Sequence, residues 1–114
     1  MRRARARRVA GVMNKAELAY SLDLEAERIA GRIQSWRFEA VTLKLADDCS
    51  YTPDFMVVMA DWTIDFREVK GFWRDDAKVK IRVAAEKFPM FRFLALRPIK
   101  GNWVIEHYGM PDAA

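Results

Sequence analysis

The sequence predicts an α/β fold, a mixed central sheet of about five strands flanked by helices. Three observations predict it. Two segments carry apolar residues at helical spacing, several short segments alternate between turn residues, and the second helical segment lies between two strands. A helical crossover of that kind joins parallel strands, here the third strand and the one that follows the second helix.

The elements run in order as follows. Asn14 is a good N-cap and Glu17 stands three residues on, as in a capping box. Leu18, Leu22, Glu25, Ile29 and Ile33 then recur at helical spacing, which predicts one mainly apolar face, and Gly31 marks the helix end. Residues 36–45 alternate, with Val41, Leu43 and Leu45 on one side, and predict a first strand closed by a turn at Asp47 and Asp48. A second strand is predicted over 51–59, with Pro53 near its start, where a missing N–H is tolerable. Ala60, Asp61 and Trp62 connect it to a third strand over 63–70, ended by Gly71. The second helix is predicted over 76–88, capped by Asp75 or Asp76, with Ala77, Ile81, Ala84, Ala85 and Phe88 as its buried stripe and Pro89 as its stop. A buried strand over 91–96, a turn at Lys100, Gly101 and Asn102, and a last strand over 103–108 complete the domain.

Composition bounds what this domain does. Its 114 residues suit one domain, and 52% hydrophobic residues supply a core without disulfides. A single cysteine, Cys49, points to a reducing cytoplasm and away from a zinc site, and a single histidine, His107, weakens any histidine-based chemistry. No apolar run approaches the ~20 residues that span a bilayer, so no membrane partner is expected. The net charge is +4, but Arg2, Arg3, Arg5, Arg7 and Arg8 crowd the first eight residues. Without those five, the 20 basic residues fall to 15 against 16 acidic ones, so the body is near neutral. Residues 1–12 therefore read as a basic arm on a domain of residues 13–114. Such an arm lies on a polyanion such as DNA, or is simply a solvated terminus.

The chemistry concentrates in the third strand. Ile64, Phe66, Glu68 and Lys70 share one side of it, so a carboxylate and an amine follow two core residues on the same face. Burying either charge alone is expensive, and a metal ion or an active site offsets that cost. Asp54 lies seven residues before Asp61 and Glu68 seven after, so a hairpin across Asp61 brings them together. Two carboxylates from adjacent strands suit Mg²⁺ or Mn²⁺, and Lys70 can orient or deprotonate an attacking water or stabilise charge on a phosphate. The plain structural reading is a surface hairpin with an ordinary Glu–Lys pair and a turn-forming Asp.

Pro53-Asp54 followed by Glu68-Val69-Lys70 resembles the signature of the PD-(D/E)XK nuclease superfamily. Tyr51-Thr52-Pro53-Asp54-Phe55, then Glu68-Val69-Lys70-Gly71-Phe72-Trp73 and Asp75-Asp76-Ala77-Lys78-Val79-Lys80, is similar to the phage endonuclease I-type Holliday-junction resolvases and to a family of small phage and prophage proteins. The resemblance covers residues 13–96 and is strongest over 51–80. It implies a restriction-endonuclease-like core in a phage- or prophage-encoded enzyme of the host cytoplasm. Asp54 and Glu68 become metal ligands with the Val69 carbonyl, and Lys70 becomes the catalytic lysine. Glu17 is the first-helix glutamate that such enzymes often add, although it is also the expected capping residue and can do either job. Glu25 and Glu39 are further candidates.

The implied activity is Mg²⁺- or Mn²⁺-dependent cleavage of DNA, with branched DNA as the substrate. The alternatives are a non-cleaving DNA-binding or assembly module of the same fold, and a nuclease subunit that needs a separate recognition partner. DNA contacts are expected from Arg2, Arg3, Arg5, Arg7, Arg8, Lys15, Trp73, Arg74, Lys78 and Lys80, while Arg82 and Lys87 read rather as a solvated helix face. No base-reading motif is present. Resolving a junction needs two cuts, so a homodimer is expected, with the first helix at the contact or exchanged between subunits and the four tryptophans in core or interface. The other reading of that helix is that its apolar stripe covers its own sheet.

The arm generates one prediction. Deleting residues 1–8 should weaken DNA binding on all sequences alike and flatten its log–log salt dependence by up to ~4–5. An unchanged slope in a salt titration would show that the arm does not meet phosphate.

Overall fold

The structure, a computed structural model, describes residues 11–70 and 75–109. The elements are α1 (Lys15–Ile29), β1 (Ile33–Phe38), β2 (Leu43–Ala46), β3 (Cys49–Tyr51), β4 (Phe55–Met59), β5 (Ile64–Val69), α2 (Asp75–Lys87), β6 (Arg92–Ile99) and β7 (Asn102–Tyr108). Five strands form one sheet in the order β1-β4-β5-β6-β7, and β2 and β3 pair by themselves. β5 and β6 are parallel, as the crossover through α2 requires, and the other pairs are antiparallel. The fold is therefore α/β with a mixed five-stranded sheet. No helix among the described residues is long and apolar enough to cross a membrane.

α1 starts where the sequence says it should. The Asn14 side chain accepts the Glu17 N–H at 2.8 Å, and Glu17 Oε1 accepts the Asn14 N–H at 2.8 Å, so each satisfies one otherwise orphaned donor. The buried face of the helix is not the expected one. Leu18, Leu22 and Ile29 are 54%, 66% and 74% exposed, while Glu17, Tyr20, Ser21 and Leu24 face the protein. The spacing was helical, but the inward stripe is partly polar because it carries Glu17 and the Tyr20 hydroxyl to the sheet. The Leu18 stripe therefore does not cover its own sheet.

Two predicted strands each divide in two. The alternating run over 36–45 is β1 and β2 in different sheets, because Glu39, whose N–H still closes the β1–β4 ladder on the Asp54 carbonyl at 2.7 Å, takes a positive φ of 49° that turns the chain away. The run over 51–59 is the end of β3 and all of β4, since Pro53 has no N–H to give a ladder. The β2–β3 hairpin turns at Asp48 (φ 58°), and β6–β7 at Lys100 and Gly101 (φ 50° and 80°), a pair of left-handed residues that suits a two-residue hairpin. The side chains of Asp75, Asp76 and Ala77, expected to cap α2 and begin its stripe, and Gly71, expected to end β5, lie outside the described residues.

Both sheet faces are covered. On the α1 side, Tyr20 and Leu24 of the helix join Phe55, Val57, Val69, Leu94 and Leu96 of the sheet in one core. Toward α2 and the β2–β3 hairpin lie Leu43, Leu45, Tyr51, Phe66, Ile81, Ala84, Phe93 and Ala95. α2 is latched to that hairpin, with Lys87 Nζ donating to the Leu45 carbonyl at 2.8 Å and Lys80 Nζ to the Ser50 carbonyl at 3.2 Å. At the far edge Gly109 (φ +81°) lets the chain pass so close to α2 that an added Cβ would stand 2.4 Å from Ala85 Cβ.

A buried ion cluster lies on the α1 side of the sheet. Asp65 is 0% exposed and accepts from Arg92 at 2.7 and 2.8 Å and from Arg67 Nη2 at 2.8 Å, while Arg67 Nη1 donates to the Tyr20 hydroxyl at 2.7 Å. Burial alone would raise the Asp65 pKa, but hydrogen bonds from Arg92 and Arg67 and their charges hold it below the ordinary aspartate range. We expect Asp65→Ala to lose about 3 kcal/mol in denaturant titration, the low end for breaking a buried pair because Arg92 is partly solvated. The folded pKa lies below the unfolded one, so this contribution is present above the unfolded value and lost as pH falls through the folded value. The stability of Asp65→Asn should accordingly fall less steeply than wild type below about pH 4. Parallel acid profiles would contradict this assignment.

Candidate active site

The β4–β5 hairpin pairs Phe55 with Arg67, so Asp54, one residue earlier, stands opposite Glu68 at the end of the pair. Both carboxylates are buried. Asp54 Oδ2 accepts the Val69 N–H at 2.9 Å, and the Asp54 N–H points to Glu68 Oε1 at 3.3 Å. Glu68 Oε1 also takes the Tyr51 hydroxyl at 2.8 Å, and Glu68 Oε2 lies 3.0 Å from Lys70 Nζ. Lys70 is anchored through its N–H to the Leu96 carbonyl at 2.9 Å, and its side chain is one-third exposed. The three residues expected to carry the chemistry are thus brought together, with Tyr51 as a fourth member that the sequence reading left without a role.

Electrostatics explain the tension in this arrangement. Burial first, and then the Glu68 carboxylate, pushes Asp54 up to about 8, and the Glu17 carboxylate adds to that push. The Val69 N–H and the Lys70 charge act in the opposite direction. Burial and the neighbouring Glu68 also raise the Tyr51 hydroxyl, which keeps it a neutral donor.

The other expected site residues divide. Glu17 is fully buried, fills its capping role and acts electrostatically on Asp54, so α1 delivers it to both places. Glu39 turns its carboxylate to the Gly11 N–H at 2.6 Å, beside the chain segment that holds Asp54. Glu25 is not brought to the site. Its carboxylate bonds Arg28 at 2.7 and 2.9 Å and Trp36 Nε1 at 3.0 Å, the geometry of a helix-surface ion pair. Lys15 and Lys80 are exposed and Lys78 is half-buried. Arg2, Arg3, Arg5, Arg7, Arg8, Trp73 and Arg74 lie outside the described residues. Of the other tryptophans, Trp36 and Trp103 are half-buried against the α1-side core, and Trp62 is exposed.

No protein family, curated protein or solved structure matches the chain. Its site is defined by its own chemistry. Among the described residues no three Asp, Glu, His or Cys side chains form a ready-made metal cluster. What the site offers is a hard oxygen pair, two buried carboxylates of like sign, whose repulsion a divalent cation relieves. That donor set fits Mg²⁺ or Mn²⁺, which complete their shells with water and substrate oxygen.

The raised Asp54 generates a stability prediction. Its folded pKa of about 8 lies above the ordinary aspartate value, so ionisation works against folding. The contribution is harmless below about pH 4 and grows as pH rises towards 8. Asp54→Asn keeps an acceptor for the Val69 N–H and removes the repulsion, so it should melt higher than wild type by a margin that widens with pH. Adding Mg²⁺ should raise the wild-type melting temperature and leave that of Asp54→Asn unmoved. A variant less stable than wild type at pH 8 would contradict the assignment.

Proposed function

We propose that this chain is a metal-dependent endonuclease that hydrolyses phosphodiester bonds in DNA, selective for branched structures, on a restriction-endonuclease-like core. The observation that carries the reading is the convergence of Asp54, Glu68 and Lys70 at one end of β4 and β5. Buried, perturbed carboxylates beside a lysine are the usual marks of a functional site rather than of a surface hairpin. The likeness of Pro53-Asp54 and Glu68-Val69-Lys70 to the PD-(D/E)XK pattern supports it, and the mixed sheet with a helix on each face is compatible with it.

The roles follow from the chemistry of each group. Asp54, Glu68 and the Val69 carbonyl hold the cation, with Glu17 reaching towards it from α1. When bound, Mg²⁺ or Mn²⁺ supplies Lewis acidity to the phosphate. Lys70, positioned by Glu68, orients the attacking water and stabilises charge that develops on the phosphate. Tyr51 fixes the Glu68 carboxylate. A homodimer would supply the paired sites that two cuts need, and the exposed Leu18, Leu22 and Ile29 stripe is the face we assign to it.

A second reading has one observation in its favour: no ready-made cluster of three metal-ligating side chains stands among the described residues. On that reading the chain binds DNA without cutting it. A synthetic four-way junction and a linear duplex, each incubated with Mg²⁺ or EDTA, separate the two. We expect cutting of the junction only with Mg²⁺, and a loss of about 100-fold or more in Asp54→Asn and Lys70→Ala with binding retained. Light scattering of the same sample should give a dimer mass. A junction bound but never cut would establish the non-cleaving module.

A further inference from the structure

The parallel register of β5 and β6 sets Glu68 beside Ala95 and Val69 beside Leu96. The Lys70 N–H bond to the Leu96 carbonyl continues that pairing, which places Lys70 beside Arg97. Residues in register on neighbouring strands lie on the same face, so Lys70 and Arg97 occupy adjacent positions on the face that carries Glu68. Arg97 is half-buried, and its Nε is buried with no hydrogen-bond partner among the described residues. Arg67 provides the contrast, since its guanidinium is engaged by Asp65, Tyr20 and Met59. Across the sheet Val104 opposes Arg97, and the Glu106 carboxylate on β7 takes the Tyr108 hydroxyl at 2.8 Å.

An unsatisfied buried donor on a charged group is unfavourable, and an anion that meets it relieves the cost. The planar fork of an arginine, Nε with one terminal nitrogen, matches two oxygens of a phosphate, and meeting one requires the buried Nε to turn outward. We propose that Arg97 is a substrate-binding residue whose guanidinium, with Lys70, holds a backbone phosphate of the nucleic acid on the β6 flank of the Asp54–Glu68 site. This inference deepens the nuclease reading and takes the identity of its ligand from it, while the contact itself requires only a phosphodiester anion.

The test is anisotropy of a fluorescein-labelled four-way junction in EDTA, across a KCl series, for wild type, Arg97→Gln and Arg97→Lys, with thermal melts of each. Arg97→Gln is expected to melt no lower than wild type, to bind about tenfold more weakly, and to lower the salt slope by ~0.9. Arg97→Lys should regain the slope and only part of the affinity, because a point charge lacks the fork. Wild-type affinity and slope in Arg97→Gln would overturn the proposal. So would a loss of affinity that appears only together with a lower melting temperature and is not restored by Arg97→Lys. Binding that depends on Arg97 without any cutting in Mg²⁺ would overturn the nuclease reading and uphold this contact.

Discussion

Two carboxylates of the same sign, Asp54 and Glu68, share one end of the central sheet, and much of the surrounding structure answers the cost of holding them there. The Val69 N–H meets Asp54, the Tyr51 hydroxyl and the Lys70 ammonium meet Glu68, and these partners come from β3, from β5 and from the residue just beyond it. α1 makes the repulsion worse by bringing Glu17 close. Stability given up at a cluster of buried charges is the arrangement on which the proposed function rests.

The same cluster explains why α1 was the element least legible in the sequence. Its start was plain, because Asn14 and Glu17 have a local chemistry that needs no tertiary context. Its orientation was not, because an apolar stripe normally marks the buried face, and here Leu18, Leu22 and Ile29 are solvated. The buried stripe carries Glu17, Tyr20 and Ser21, whose polar atoms serve the site, Arg67 and the helix's own backbone. Patterning reports burial only where burial is apolar, and it misleads where a helix presents polar groups inward.

Pairings that follow from counting were legible. Asp54 opposite Glu68 needed only a hairpin centred near Asp61, and the parallel β5–β6 pair needed only a helix between two strands. Breaks in a run were not: alternation continues through Glu39 and Thr52, where the backbone leaves one sheet for another, and no composition signal marks the left-handed turn at Glu39. Tyr51 and Arg97 escaped for a different reason. Each acquires its place from a strand distant in sequence, Tyr51 reaching β5 from the small hairpin and Arg97 standing beside Lys70 only after the crossover closes.

Asp65 and Arg67 lie on the face of β5 opposite Phe66 and Glu68, where Arg92 and Tyr20 receive them. A misfolded competitor in which β5 slips by one residue would press Asp65 and Arg67 against Phe93 and Ile81 and strand Phe66 among arginines. Any such decoy leaves charge buried without partners, which is far more costly than imperfect apolar contact. The ion cluster therefore discriminates among rival strand alignments, and in rejecting the wrong ones it preserves the single alignment in which Asp54 faces Glu68.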